Sequence, residues 1–155
     1  MTGKVEAKLK ELGIVLPAAP APVANYVPWV RSGNLVFVAG QVSRDDKGNL
    51  IAGRLGAGME VAAGQAAARA CALALLAQVK AACGGDLDRV RRCVKLGCFV
   101  SSTDDFAQQP AVANGASDLI VAVLGDAGRH ARFAVGSNVL PMNAAVEIDA
   151  VFEVV

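Results

Sequence analysis

Leu35-Val36-Phe37-Val38-Ala39-Gly40-Gln41-Val42 is a short, nearly continuous apolar run bounded by turn signals. Ser32-Gly33-Asn34 precedes it and Asp45-Asp46-Lys47-Gly48-Asn49 follows it. A run of that length and composition reads as a strand with both faces covered. Upstream, residues 25–31 (Asn-Tyr-Val-Pro-Trp-Val-Arg) read as an edge strand, because Pro28 has no N–H to give to a ladder. Residues 25–42 are therefore expected to form a hairpin.

Working outward, residues 59–82 form the strongest helical run, with Gly84-Gly85 to stop it. Its apolar residues go nearly all the way round, so at least two faces should be covered. Asp86 to Val90 reads as a short connection and Cys93 to Val100 as a strand. Ser101-Ser102-Thr103-Asp104 offers N-caps for a second helix over about 110–124, with Pro110 in its first turn. Gly125 to Gly128 reads as a loop, followed by strands at 131–138 and 145–154. At the N-terminus, residues 2–13 suggest a short helix capped by Thr2 and ended by Gly13. The three prolines Pro17, Pro20 and Pro22 then force an extended surface path.

The order is two strands, a long helix, a strand, a shorter helix and two strands. That order predicts an α+β fold, a mixed sheet with both long helices on one face. No helix is left for the other sheet face, which is also apolar, so other subunits are expected to cover it.

The chain has 155 residues, enough for one domain that buries about 70% of its unfolded surface without metal or disulfide. It is 54% hydrophobic, 19% charged and 5% aromatic, with a mean hydropathy of +0.44. Such apolar excess suggests burial between subunits. Net charge is +1 with no basic block, which gives nucleic acid little to bind. Lys4, Glu6, Lys8, Lys10 and Glu11 do not fit a signal peptide, and Arg69, Gln78 and Lys80 interrupt the most apolar run, so neither export nor a membrane span is expected. Cys71, Cys83, Cys93 and Cys98 show no CxxC spacing and His130 is the only histidine, so no metal site is expected. Buried reduced thiols in a cytoplasmic protein are the expectation instead.

Two charges stand out in the last quarter. Arg132 lies in His130-Ala131-Arg132-Phe133-Ala134-Val135-Gly136, and Glu147 in Val146-Glu147-Ile148-Asp149. A charge in an apolar strand is costly to bury unless paired or bound. Either Arg132 holds a small carboxylate through two parallel hydrogen bonds, or it pairs with a carboxylate such as Glu147. Period two puts Glu147 and Asp149 on one face, opposite Val146 and Ile148. Both could face solvent, or Glu147 could activate a water from a partly buried position. His130 shares a face with Arg132 if both are in the strand. Tyr26 and Trp29 read equally as interface packing or ligand contact. Gly40 either lets the backbone approach a ligand closely or marks a bulge. Asn114-Gly115 inside a helix hints at tight packing or a local bend. There is no GxGxxG, Walker or GxSxG motif.

Together these residues resemble the RidA/YjgF/endoribonuclease L-PSP family. Tyr26 followed by Gly33-Asn34-Leu35-Val36-Phe37-Val38-Ala39-Gly40-Gln41 is similar to the family's P-Y-S-Q-A-V and G-N-L-V-F-V-S-G-Q. Gln65-Ala66, Val94-Lys95-Leu96, Asp105-Phe106, Asn114, Ala131-Arg132, Leu140-Pro141 and Val146-Glu147-Ile148 fall in matching order over about 23–153. The resemblance implies residues 23–155 as the family domain and residues 1–22 as an addition. It also implies a chorismate-mutase-like subunit, a homotrimer around a central β-barrel, and sites between subunits. Family members hydrolyse reactive imines or enamines of 2-amino acids to 2-oxo acids and ammonia without cofactor or metal. On that basis Arg132 holds the substrate carboxylate and Glu147 orients water or moves a proton. Tyr26, Gly40 and Asn114 line the pocket, with His130 and Phe133 in its wall. The chain departs from the family at Val27-Pro28, Ala39, His130 and Phe133-Ala134. The alternatives are a non-catalytic module for small metabolites and, with less in its favour, a ribonuclease.

Overall fold

A computed structural model describes residues 2–155. Its five strands are β1 (Trp29–Ser32), β2 (Leu35–Val42), β3 (Val90–Ser101), β4 (Ala131–Ser137) and β5 (Val146–Val154). They form one sheet in the order β1-β2-β5-β3-β4. β3 and β4 run parallel; the other neighbours are antiparallel. The helices are α1 (Lys4–Glu11), α2 (Val61–Ala82) and α3 (Gln109–Leu124).

The hairpin is shorter than the sequence suggests. β1 begins only at Trp29, so Tyr26 lies in the loop before it. Pro28 lacks an N–H and disfavours helical backbone at Val27, so the ladder starts after it. The Pro28 carbonyl still accepts from the Ala39 amide at 2.9 Å. β3 is longer than expected and follows a 3₁₀ turn at Leu87–Arg89; Gly125–Gly128 is likewise a 3₁₀ turn. The serines and Thr103 before α3 do not cap it. Gln108 stands at the cap with no side-chain bond, and the Thr103 hydroxyl bonds Asp105 instead.

Both long helices lie on one sheet face, as the element order predicts. α2 crosses β2 and β5, α3 crosses β3 and β4, and the two helices pack on each other. β5 shows the division: Val146, Ile148, Ala150, Phe152 and Val154 are buried in the core, while Glu147, Asp149, Val151 and Glu153 alternate with them on the other face. Each large apolar side chain so buried contributes about 1.5–3 kcal/mol. α2 is long and apolar enough to cross a membrane by length and composition alone, but more than half of that window is buried inside this fold. The four thiols are buried and unpaired; burial pushes Cys93 up to about 12 and Cys98 to about 11.

Gly115 is where α3 meets α2. A Cβ there would stand 2.1 Å from the Gln65 carbonyl oxygen. Only glycine lets the two backbones approach this closely, which offsets its roughly 1 kcal/mol helix penalty.

The N-terminal segment is built onto this body. Thr2 does not cap α1; the Asp88 carboxylate accepts from the Lys4 and Val5 amides at 2.8 Å each. Leu9 is buried, and Glu6 pairs with Lys80 on α2. Gly13, at φ +67°, turns the chain out of the helix. The proline-rich stretch then runs over α2, tied down where Gln78 donates to the Pro20 carbonyl at 2.7 Å.

Candidate functional site

The predicted site residues fall into two groups on separate parts of one chain. The first is built on α3 and β4. Arg132, on the helix-facing side of β4, reaches three neutral oxygens of α3. Its Nη1 donates to Asn114 Oδ1 and Ser117 Oγ at 2.9 Å each, and its Nη2 donates to the Pro110 carbonyl at 3.0 Å. Three of the five donors a guanidinium carries are thereby used, and its plane is fixed. No carboxylate pairs with Arg132 among the described residues. The ion-pair reading with Glu147 is therefore not what the chain does. The guanidinium is held but not neutralised.

His130 does share that face. Its Nδ1 lies 2.6 Å from the Gly128 carbonyl, which can only accept, so Nδ1 carries the proton. In the neutral ring Nε2 then accepts from Ser117 Oγ, 2.9 Å away. The Ser117 oxygen is left with its lone pairs toward Arg132. One hydroxyl thus links His130 to Arg132, donating to the ring and accepting from the guanidinium.

Ser117 is a functional candidate that the sequence reading missed. Pro110, Asn114 and Ser117 recur at i, i+4 and i+7, the spacing of one helix face. That stripe was legible once a helix over 110–124 was accepted.

The second group surrounds Glu147 on the opposite sheet face. The β2–β5 register shifts between Val38 and Gln41, a bulge that contains Gly40. A Cβ at Gly40 would stand 2.5 Å from Glu147 Oε1, so the bulge reading of Gly40 holds and the missing side chain makes room for Glu147. Burial, with the nearby Asp149 adding to it, raises the Glu147 pKa above the ordinary carboxylate value. Glu147, Gly40 and Tyr26 line one cleft of about 970 Å³.

Arg132, Asn114, His130 and Phe133 lie outside that cleft. Phe133 points to the open sheet face, edge-on to Phe99 with ring centres 5.3 Å apart and Lys95 over its ring. Trp29 packs on the core. Arg132 and Glu147 are two strands and three residue steps apart, roughly 14 Å, and on opposite faces. Within one chain the two therefore do not share a cleft.

The sequence matches the family described as "YjgF/chorismate mutase-like, putative endoribonuclease" over residues 6–154. It is 56% identical to Protein TCP17 of Trypanosoma cruzi over 153 residues, 98% of this chain and 95% of that protein. The crystal structure of Atu1372, a protein with unknown function from Agrobacterium tumefaciens, is similar at TM-score 0.90 and 51% identity, over 97% of this chain and 92% of that one. RidA from the Antarctic bacterium Psychrobacter sp. PAMC 21119 is similar at TM-score 0.60 and 28% identity, over 88% and 94%.

Proposed function

The chain belongs to the YjgF/chorismate mutase-like family, and from that membership and the geometry above we propose that it hydrolyses imines or enamines of 2-amino acids. The observation that carries the reading is Arg132, a cation fixed by three neutral oxygens and paired with no carboxylate. The guanidinium has donors left for the carboxylate of a small acid. The cleft is assembled between copies: Arg132 and Asn114 of one subunit face Tyr26, Gly40 and Glu147 of the next. A homotrimer with its open sheet faces turned inward supplies that arrangement. Phe37, Phe99, Val30 and Val135 are exposed on that face or its edge strands and need cover.

In the reaction, Glu147 takes a proton from a water that attacks the imine carbon. The new C–O bond gives a carbinolamine as Glu147 passes that proton to nitrogen; Glu147 then takes the hydroxyl proton and delivers it to the amine as the C–N bond breaks, leaving a 2-oxo acid and ammonia. Burial raises the Glu147 pKa above the ordinary carboxylate value, which makes it a better proton acceptor in this exchange. Arg132 does no proton transfer; it anchors the carboxylate and orients the imine carbon.

The test is ammonia release from a freshly generated enamine of a 2-amino acid. The native protein accelerates it over buffer, and both Arg132→Ala and Glu147→Gln reduce it by at least about 100-fold. Rates at the buffer level with several such substrates defeat the proposal. Stabilisation by 2-oxo acids that depends on Arg132, without turnover, supports the second reading, a metabolite-binding module. Ribonuclease activity has little here to carry it, since the net charge is only +1.

A further inference from the structure

The cleft beside Glu147 is far larger than a small imino acid requires. Its volume of about 970 Å³ is at the upper end of small-molecule sites. One wall is the N-terminal stretch from Val15 to Val23; the facing wall is α2, at Ala66, Ala70 and Leu73, with Arg69 beside them, and Arg44, Asp45 and Asp46 add charge to an otherwise mostly apolar lining. Glu147 lies at the other end, beside the bulge at Gly40.

Two features keep this space open and apolar. Pro17, Pro20 and Pro22 have fixed φ and no N–H, so they form a stiff wall that offers no amide donors of their own. The segment is also tied down at two points, one before the wall and one within it. Asp88 holds the start of α1, and buried Gln78 holds the Pro20 carbonyl. Opposite this wall, the small side chains of Ala66 and Ala70 leave the space in front of α2 empty. An apolar pocket maintained in this way takes up an apolar group.

We propose that this cleft is the side-chain pocket of the site, and that the protein selects 2-imino and 2-oxo acids with a bulky apolar side chain, aromatic or branched. The inference rests on the reading of Glu147 as the site carboxylate. The carboxylate end of the ligand lies at the subunit junction, and its side chain runs under the proline-rich segment against α2. The N-terminal segment, whose residues 15–23 lie within the family match, is then the specificity element.

The experiment measures binding of phenylpyruvate and of pyruvate to the full-length protein by calorimetry, with ammonia release followed separately. Burying a phenyl ring predicts phenylpyruvate binding at least about tenfold tighter than pyruvate. Ala70→Phe fills the pocket from α2 and narrows that ratio to about threefold or less by weakening phenylpyruvate. Ala66→Trp does the same from a more exposed position, where the fold tolerates the larger side chain. Equal affinities in the native protein, or a preference that neither variant changes, overturn the proposal, as does failure to bind phenylpyruvate. If no imine is turned over but the phenylpyruvate preference and its loss on filling persist, the pocket stands and the deaminase reading falls. If turnover is intact but favours the smallest substrates, the reverse holds.

Discussion

At the scale of single residues, the chemistry rests on how Arg132 and Glu147 are held. Ser117 accepts from Arg132 and donates to His130, so it sets the guanidinium plane. Ser117→Ala removes one charge-assisted hydrogen bond and is expected to weaken 2-oxo acid binding about tenfold, read by calorimetry, with the melting temperature little changed. His130→Phe removes the acceptor that orients the hydroxyl and weakens the same binding; His130→Gln, which keeps an acceptor, recovers part of the loss. Glu147 gives a prediction with the opposite sense for stability. Its pKa is raised, chiefly by burial, so its ionised form is disfavoured in the folded chain. The fold is relatively most stable below the ordinary glutamate pKa and loses that stability as pH rises through the raised value. Glu147→Gln is therefore inactive yet melts higher than the native protein at pH 8, and the gap closes toward about pH 4. A melting temperature lowered by the substitution at pH 8 contradicts this account.

At the scale of elements, two contacts decide the arrangement. α2 and α3 meet backbone to backbone at Gly115. Gly115→Ala forces the helices apart and is expected to cost at least about 2 kcal/mol, a drop of roughly 4–8 °C in melting temperature. α1 depends on Asp88, whose pKa is lowered by the Val5 and Lys4 amides. A lowered carboxylate pKa means that the stabilisation is present above the ordinary aspartate value and lost as pH falls through the lowered one. Hydrogen exchange should show residues 4–11 opening in acid before the sheet does. Asp88→Ala should open them already at neutral pH while leaving β3 and β5 protected. The helical stripe Pro110–Asn114–Ser117 belongs here too, because an element rather than a motif brings those three groups to Arg132.

At the scale of the whole molecule, the proposed function makes the Arg132 and Glu147 groups, on opposite sheet faces, two half-sites. The proposed trimer predicts a solution mass of three times the 15.8 kDa chain by light scattering. Phe37 is 47% exposed on the open face opposite Val30 of β1. Phe37→Lys places a charge where subunits would meet, and is expected to yield monomers in which Arg132 keeps its α3 partners but 2-oxo acid binding is lost. Monomers that still bind as the native protein does show that the site is complete within one chain.

Local chemistry was enough for the sequence alone to determine the mixed sheet, the two long helices and their common face. Apolar periodicity marks what must be buried, and glycine and proline mark where elements stop. The same period put Glu147 opposite Ile148, and the glycine at position 40 marked the bulge in β2. Three things were decided only by the tertiary structure. Whether Arg132 pairs with Glu147 depends on strand order and sheet face, which place the two charges apart. The start of α1 is held by a carboxylate more than eighty residues away in sequence, which no local capping rule reveals. The proline-rich segment is legible as extended from its sequence, but its role as the wall of a cleft follows from where Gln78 and Asp88 fasten it. These are long-range contacts, and their partners are set by the packing of the whole chain rather than by neighbours in sequence.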